Sequence, residues 1–275
     1  MSHFYDENGE ARFQIRGSST GEAKNTTIAD ARKYGFYPSV TTILDCLSKK
    51  ALDDWKQNQV AIAARRLLAE GKKVHFNTEE ASYLGIVKKE AFEQVDEAAK
   101  LGTNVHKALE DALQGREYDK TYMVYVEAVK GLLADNDIQI RHHELRLVDK
   151  GSGYAGTTDA DFVSPKLGGY GILDFKTCKT KPNKKTEPRD TWPMQIAAYF
   201  VTHYGKLPST KEHIGINIAI STTEPGRVEL ITYDGIELHN EWIKFYHINE
   251  YYKLSTGHDP VNKPAKEKYI PKDGL

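Results

Sequence analysis

Three aspartates and two lysines fall within residues 153–176, which read GYAGTTDADFVSPKLGGYGILDFK. Asp159, Asp161, Asp174 and Lys176 are the residue types that hold a divalent cation and place a point charge against a phosphate. The stretch reads as two strands joined by a polar loop at 164–169. Strand residues two apart share a face, so Asp159 goes with Asp161 and Asp174 with Lys176. Pairing Val163 with Tyr170 sets Asp161 opposite Ile172 and Asp159 opposite Asp174, roughly 4.5–5.5 Å apart. Like charges that close are unfavourable unless a cation sits between them. A slide of two residues sets Asp161 against Asp174 instead, and a surface hairpin with scattered charges is the plainer reading. Against the plain reading, Ile172-Leu173-Asp174-Phe175 puts a carboxylate inside an apolar run, which is costly unless it is paired or binds metal. The expectation is a divalent-metal site with a lysine beside it.

The chain leaves this hairpin through a basic segment. Over 176–185 five of ten residues are lysines, and Lys179, Lys181, Lys184 and Lys185 follow directly on the acidic pair. A lysine run alone means a solvated loop. Beside metal-binding acids it suits holding a phosphate chain.

These residues need elements to bring them together. Asn8-Gly9 between two short apolar stretches is a hairpin signal, whereas 16–25 reads as loop. Ser39 after Pro38 predicts an N-cap opening a short helix. A helix is expected over 51–70, with Leu52, Trp55, Val60 and Ala63 among its apolar positions and Gly71 at its end. Lys56, Arg65, Arg66, Lys72 and Lys73 make it locally basic, which fits nucleic-acid contact and a solvated face equally. One long helix, or two abutting ones, covers 86–114, with Val95, Val105 and Leu109 on its apolar stripe. Gly102, His106 and Glu110 recur there at i, i+4 and i+8, close to one face. Glycine inside a helix costs about 1 kcal/mol against alanine, so Gly102 marks a close approach or a helix junction. A lone helical histidine is more often structural than a ligand.

Further along, a helix over 118–134 leads to a strand over 139–149. His142 and His143 point to opposite faces there, and Glu144 is a candidate support for the aspartates. A helix over 191–204 carries Gln195 and Tyr199 one turn apart. Two strands, 214–221 and 227–233, a helix over 236–254 and an extended tail with Pro260, Pro264 and Pro271 complete the chain.

Whole-chain properties set the bounds. A chain of 275 residues can bury a sizeable core. Its net charge of −1 offers no global basic field, so a polyanion site must be local. Cys46 and Cys178 are too few for a disulfide framework, a four-cysteine zinc site or a four-cysteine iron–sulfur cluster. No run reaches the roughly 18 apolar residues of a membrane span. The opening MSHFYDENGEARF fits neither a secretory signal nor an Arg-rich transit peptide. A soluble, cytoplasmic protein is expected.

Four motifs stand in order: a helical GxxxH (Gly102, His106), a GxxD strand (Gly156, Asp159), an Asp-x-Lys strand (Asp174, Lys176) and a helical QxxxY (Gln195, Tyr199). This order resembles the RecB-like branch of the PD-(D/E)XK nuclease superfamily, to which lambda-type exonucleases are related. Tyr37-Pro38-Ser39-Val40-Thr41-Thr42-Ile43-Leu44 and the Trp55 helix are more similar still to mitochondrial genome maintenance exonuclease-like proteins of phages and bacteria. The likeness covers about 37–204.

The resemblance implies a mixed α/β fold with a restriction-endonuclease-like core, a central mixed sheet flanked by helices. It implies an N-terminal hairpin and helical region at 1–85, the nuclease core at 86–256 and an extended tail at 257–275. His106, Asp159, Asp174 and the Phe175 carbonyl would bind Mg²⁺, with Mn²⁺ substituting. Lys176 would orient or activate the attacking water, and Gln195 and Tyr199 would support the site and contact DNA. Gly156 favours Asp159 over Asp161, leaving Asp161, Glu110 and Glu144 as supporting carboxylates. Lys179, Lys181, Lys184, Lys185, Arg65 and Arg66 are the expected DNA contacts. Phe175 in the middle of the Asp-x-Lys motif departs from the superfamily name as much of this branch does. The four cysteines of some relatives are absent, so no iron–sulfur cluster is expected.

The implied activity is a metal-dependent DNA exonuclease that hydrolyses phosphodiester bonds with metal-activated water. It would act on free ends or single strands in replication, repair or recombination, with a protein of those processes as a candidate partner. An endonuclease needing no free end and a DNA-binding scaffold without catalysis are the alternatives; Asp159, Asp174 and Lys176 speak against the second.

Overall fold

The computed structural model describes residues 3–17, 21–47, 50–70, 79–263 and 265–269. Gly71, Lys72, Lys73, Pro264 and Pro271 lie outside the described residues, as do the side chains of Leu52 and Val95. The chain forms two compact units, 1–47 with 108–275, and 48–107.

The larger unit opens with small elements. β1 (Phe4–Tyr5) pairs with β4 (Tyr37–Pro38), and β2 (Gln14–Arg16) with β3 (Ala23–Asn25). Gly9 makes the expected turn with a positive φ of 81°, but only the Tyr5–Ala11 bridge follows it; the ladder partner of β1 comes from β4. The β2–β3 pair occupies a segment read as loop. Its residues, Gln14, Arg16, Lys24 and Asn25 among them, carry almost none of the apolar alternation that marks a strand. Helix α1 (Ile28–Tyr34) was also missed, although Thr27 and Asp30 form a capping box and Gly35 ends it in the left-handed region. Helix α2 (Val40–Leu44) is capped as expected, Ser39 Oγ accepting the Thr42 N–H at 3.0 Å.

In the 48–107 unit, α3 (Lys50–Glu70) and the first part of α4 (Glu80–Leu113) are joined by an apolar contact of Ala63, Leu67 and Val87. Trp55, expected among the apolar positions, is exposed. Helix α4 begins six residues before its expected start and runs unbroken through Gly102, so no helix junction lies there. The boundary between the units falls within α4, after Lys107.

A mixed five-stranded sheet carries the rest of the larger unit. Helix α5 (Met123–Asp135) precedes β5 (Gln139–Asp149), β6 (Tyr154–Ser164) and β7 (Gly169–Cys178); helix α6 (Thr191–Tyr204) then leads to β8 (His213–Ser221), β9 (Val228–Tyr233) and helix α7 (Gly235–Thr256). The strand order is β5-β6-β7-β8-β9, parallel only between β7 and β8. Parallel neighbours need a crossover, and α6 is that crossover. Every residue of β8, HIGINIAIS, is buried, as a strand covered on both faces reads. At Gly215 a side chain would come within 2.5 Å of Ile196 on α6 and 2.9 Å of Leu238 on α7, so the glycine lets both helices close on the sheet. Ile172, Ile196, Phe200, Leu238, Trp242 and Phe245 form the core there, joined by Val40 and Ile43 of α2. The fold is mixed α/β. No helix among the described residues is long and apolar enough to cross a membrane. After α7 the chain turns at 260–263 and returns Tyr269 edge-on to Tyr34 and Phe36.

Candidate functional site

The site grows from a fork in the sheet. Strands β6 and β7 pair Val163 with Tyr170, Asp161 with Ile172 and Ala160 with Leu173, and there the ladder ends. This is the register that sets Asp159 against Asp174; the two-residue slide is not adopted. Asp159 Oδ2 accepts the Phe175 main-chain N–H at 2.6 Å. A strand residue turns its N–H and C=O to the same edge, so the Phe175 carbonyl also leaves β7 toward Asp159. Burial first, and then the Asp174 charge, push the Asp159 pKa well above the carboxylate range. The Phe175 N–H and the Lys176 charge act the other way and are outweighed.

Lys176 joins the fork to α6. Its ammonium lies 2.7 Å from Asp174 Oδ2 and donates to Gln195 Oε1 at 2.6 Å. Gln195 Nε2 in turn donates to the Tyr199 hydroxyl at 3.3 Å. The two α6 residues thus stand one turn apart and extend a chain of polar contacts that begins at Asp174. Tyr199 is buried against Gly156, where a side-chain carbon would lie 2.6 Å from the ring and 2.7 Å from its hydroxyl. Any larger residue three positions before Asp159 would displace this ring. The GxxD spacing therefore has a local steric cause.

Two residues that the sequence reading did not single out complete the support. Asn217, fully buried on β8, aligns with Asp174 across the parallel pair. Its Nδ2 donates to the Asp174 carbonyl at 3.3 Å and to Oδ2 at 3.4 Å, and its Oδ1 accepts the Tyr233 hydroxyl at 3.0 Å. A polar residue in the middle of an apolar run was the available clue. Tyr5 of β1 also reaches the fork, its hydroxyl 3.3 Å from Thr157 Oγ1.

The carboxylates expected to support the site take different places. Glu144 stays in register beside the aspartates, but on a strand that is not regular. A register shift lies between Ile140 and His142, and Glu144 itself has φ 51°. A left-handed backbone costs a non-glycine residue about 1–2 kcal/mol. Its flanking pairs, His143 with Ala160 and Leu145 with Thr158, set Glu144 opposite Asp159, and its charge contributes to the raised Asp159 pKa. Asp161 instead accepts from the His142 main chain and ring, both at 2.9 Å, from Arg141 at 2.9 Å and from His203 at 3.2 Å. Burial opposes ionisation of Asp161, but these partners prevail and hold its pKa below the ordinary value. Glu110 pairs with Arg116 at 2.5 Å.

Of the expected cations, Lys179, Lys181, Lys184 and Lys185 are all exposed on the loop leaving β7. Arg65 and Arg66 belong to the 48–107 unit, where both are exposed and Arg66 pairs with Glu90 at 3.1 Å. His106 is half-buried on α4 in that same unit.

The donor set at the fork fits a hard cation. Two carboxylates lie together, one of them with its pKa raised by burial and by the charge of the other, and a main-chain carbonyl is turned toward them. Mg²⁺ is commonly held by one or two carboxylates with several retained waters, and Mn²⁺ accepts the same oxygens. Among the described residues no group of three or more His, Cys, Asp or Glu side chains is arranged as a metal cage. No family model matches the chain, and no curated protein matches it either.

Proposed function

We propose that the chain is a metal-dependent deoxyribonuclease of the RecB-like PD-(D/E)XK type, acting as an exonuclease on DNA with a free end. The observation that carries this reading is the fork, where Asp159 and Asp174 meet past the last β6–β7 rung beside Lys176. Asp159, Asp174 and the Phe175 carbonyl would hold Mg²⁺ or Mn²⁺. When bound, the ion supplies the positive charge that neutralises both acids and polarises the scissile phosphate and its water.

The chain's own residues do the rest. Lys176 places a fixed ammonium where negative charge gathers on the phosphate in the transition state. Gln195 and Tyr199 keep that ammonium from swinging away, and Asn217 steadies the acid it pairs with. Water is the nucleophile, and no side chain forms a covalent intermediate. The lysines of the exit loop hold the neighbouring phosphates by charge.

The test is degradation of end-labelled single-stranded DNA, linear against circular, with Mg²⁺ and with EDTA. Loss of the linear strand alone, only with Mg²⁺ and not by Asp174→Ala, is the expected result. Cutting of circles would replace the exonuclease with an endonuclease. No Mg²⁺-dependent degradation, or full activity in Asp174→Ala, would overturn the reading.

A further inference from the structure

The lysine-rich loop is fastened through its main chain, which leaves its side chains outward. Arg227, just before β9, uses all five of its N–H donors on this task. Its Nε donates to Glu229 at 3.0 Å, one Nη to Glu224 at 2.5 Å and to the Lys181 carbonyl at 3.0 Å, and the other to Glu229 at 2.5 Å and to the Lys184 carbonyl. Glu229 also accepts the Thr186 N–H at 2.8 Å and its hydroxyl at 3.0 Å. Before the clamp, the Thr180 hydroxyl lies 2.6 Å from both Ser221 Oγ and Glu224 Oε2. Inside it, Asn183 takes a positive φ of 59° and the Lys184 N–H closes a turn on the Lys181 carbonyl at 3.2 Å. The backbone over 180–186 is therefore held at both ends and in the middle.

The charges on this loop are not used within the fold. Lys179, Lys181, Lys184 and Lys185 are exposed, and among the described residues none of them is in an ion pair. Four cations on a fixed backbone form a surface for a chain of phosphates. Fixing the backbone in advance removes the ordering cost that a loose loop would meet on binding.

We propose that Arg227, with Glu224 and Glu229, is a positioning residue for nucleic-acid binding, fixing the 180–186 backbone so that Lys179, Lys181, Lys184 and Lys185 stand as a preformed rail for the phosphates of a single DNA strand beside the Asp159–Asp174 fork. The identity of the ligand rests on the nuclease reading; the clamp itself does not. Arg227 has no donor left for a phosphate, so its loss should weaken binding without changing how many phosphate contacts are made.

Two measurements on the full chain test this. The first is limited trypsin digestion followed by mass spectrometry, scoring cleavage after Lys179, Lys184 and Lys185. The second is binding of a fluorescent oligothymidylate in EDTA across a salt series. Arg227→Ala and Arg227→Lys should both open the loop to trypsin, leave cleavage elsewhere unchanged and weaken binding about tenfold. The slope of log affinity against log salt should stay as in the wild type. A Lys179→Ala/Lys184→Ala variant should lower that slope by about 0.7 per lysine, the single-strand value. Unchanged loop cleavage in Arg227→Lys, which keeps the charge and the fold, would overturn the clamp. An opened loop with unchanged affinity would overturn the rail, as would a slope that falls in the Arg227 variants as in the lysine variant. No oligonucleotide binding by the wild type would overturn the rail together with the nuclease reading, whereas binding that ignores Arg227 removes the rail and spares that reading.

Discussion

Asp159 takes the Phe175 N–H at 2.6 Å, at the place where the next rung between β6 and β7 would have formed. A side chain has replaced a backbone partner, which keeps the strand edge satisfied while the strands part. The arrangement also sets an acid against Asp174 in crowded surroundings, and this has consequences for stability and for rate.

The first concerns pH. Because burial and Asp174 raise the Asp159 pKa, the folded chain holds this proton more tightly than the unfolded chain does. Without divalent ions, the contribution of Asp159 to stability is fully present below about pH 4 and is lost as pH rises through the raised folded value. Asp159→Asn should match the wild type in melting temperature near pH 4 and exceed it at pH 7 in EDTA, and it should abolish cleavage. Added Mg²⁺ should raise the melting temperature of the wild type only. A wild-type-to-variant difference that does not change with pH would refute the assignment.

Lys176 and Gln195 should differ in degree. Lys176→Met removes the charge at the phosphate and should lower kcat by about 10²–10³, the range for losing one preorganised electrostatic partner. Gln195→Ala leaves the ammonium in place but unsteered, and a loss of about tenfold corresponds to about 1.4 kcal/mol. Single-turnover rates at saturating DNA would separate them; equal losses would show that Gln195 does more than hold Lys176.

Gly156→Ala drives a methyl into the Tyr199 ring. Overpacking of this kind costs about 1–3 kcal/mol, measurable by urea unfolding. Combining it with Tyr199→Leu should recover much of that stability while activity stays low. Additive losses would mean that the ring is not what excludes a side chain at 156.

Asn217→Leu should cost about 1–3 kcal/mol, because the buried Tyr233 hydroxyl and part of Asp174 lose their partner. Tyr233→Phe removes the stranded hydroxyl, so the double variant should be more stable than the sum of the two single losses predicts. A double-mutant cycle closing at zero would argue against a working Tyr233–Asn217–Asp174 chain.

Much of the scaffold was legible because its signals are local. The strand over 139–149 and the helix over 191–204 were read with the bounds they have, and the Val163–Tyr170 register is one of the two that the polar loop left open. What was missed depends on distant neighbours. Strands β2 and β3 carry little apolar patterning and hold together through one another. No residue type announces the register shift between Ile140 and His142 or the left-handed backbone of Glu144. Spacing alone left Asp161 and Asp159 with equal claim as ligands and only the resemblance at Gly156 favoured Asp159; the approach of Arg141, His142 and His203 gives Asp161 its separate role. Asn217 lay in a strand whose register with β7 depends on a crossover of more than thirty residues, beyond what spacing can fix.

The crossover has a further consequence. Asp174, Lys176, Gln195, Tyr199 and Asn217 all lie within β7, α6 and β8, while Asp159 arrives from β6 through the short turn at 165–168. That turn joins the two acids along the chain, but what sets them face to face is the ladder from Ser164–Gly169 to Ala160–Leu173. Continuity of the peptide between them is thus incidental to the chemistry. A circular permutant with its termini in that turn would keep both halves of the fork, its acids facing one another from opposite ends of a rearranged chain.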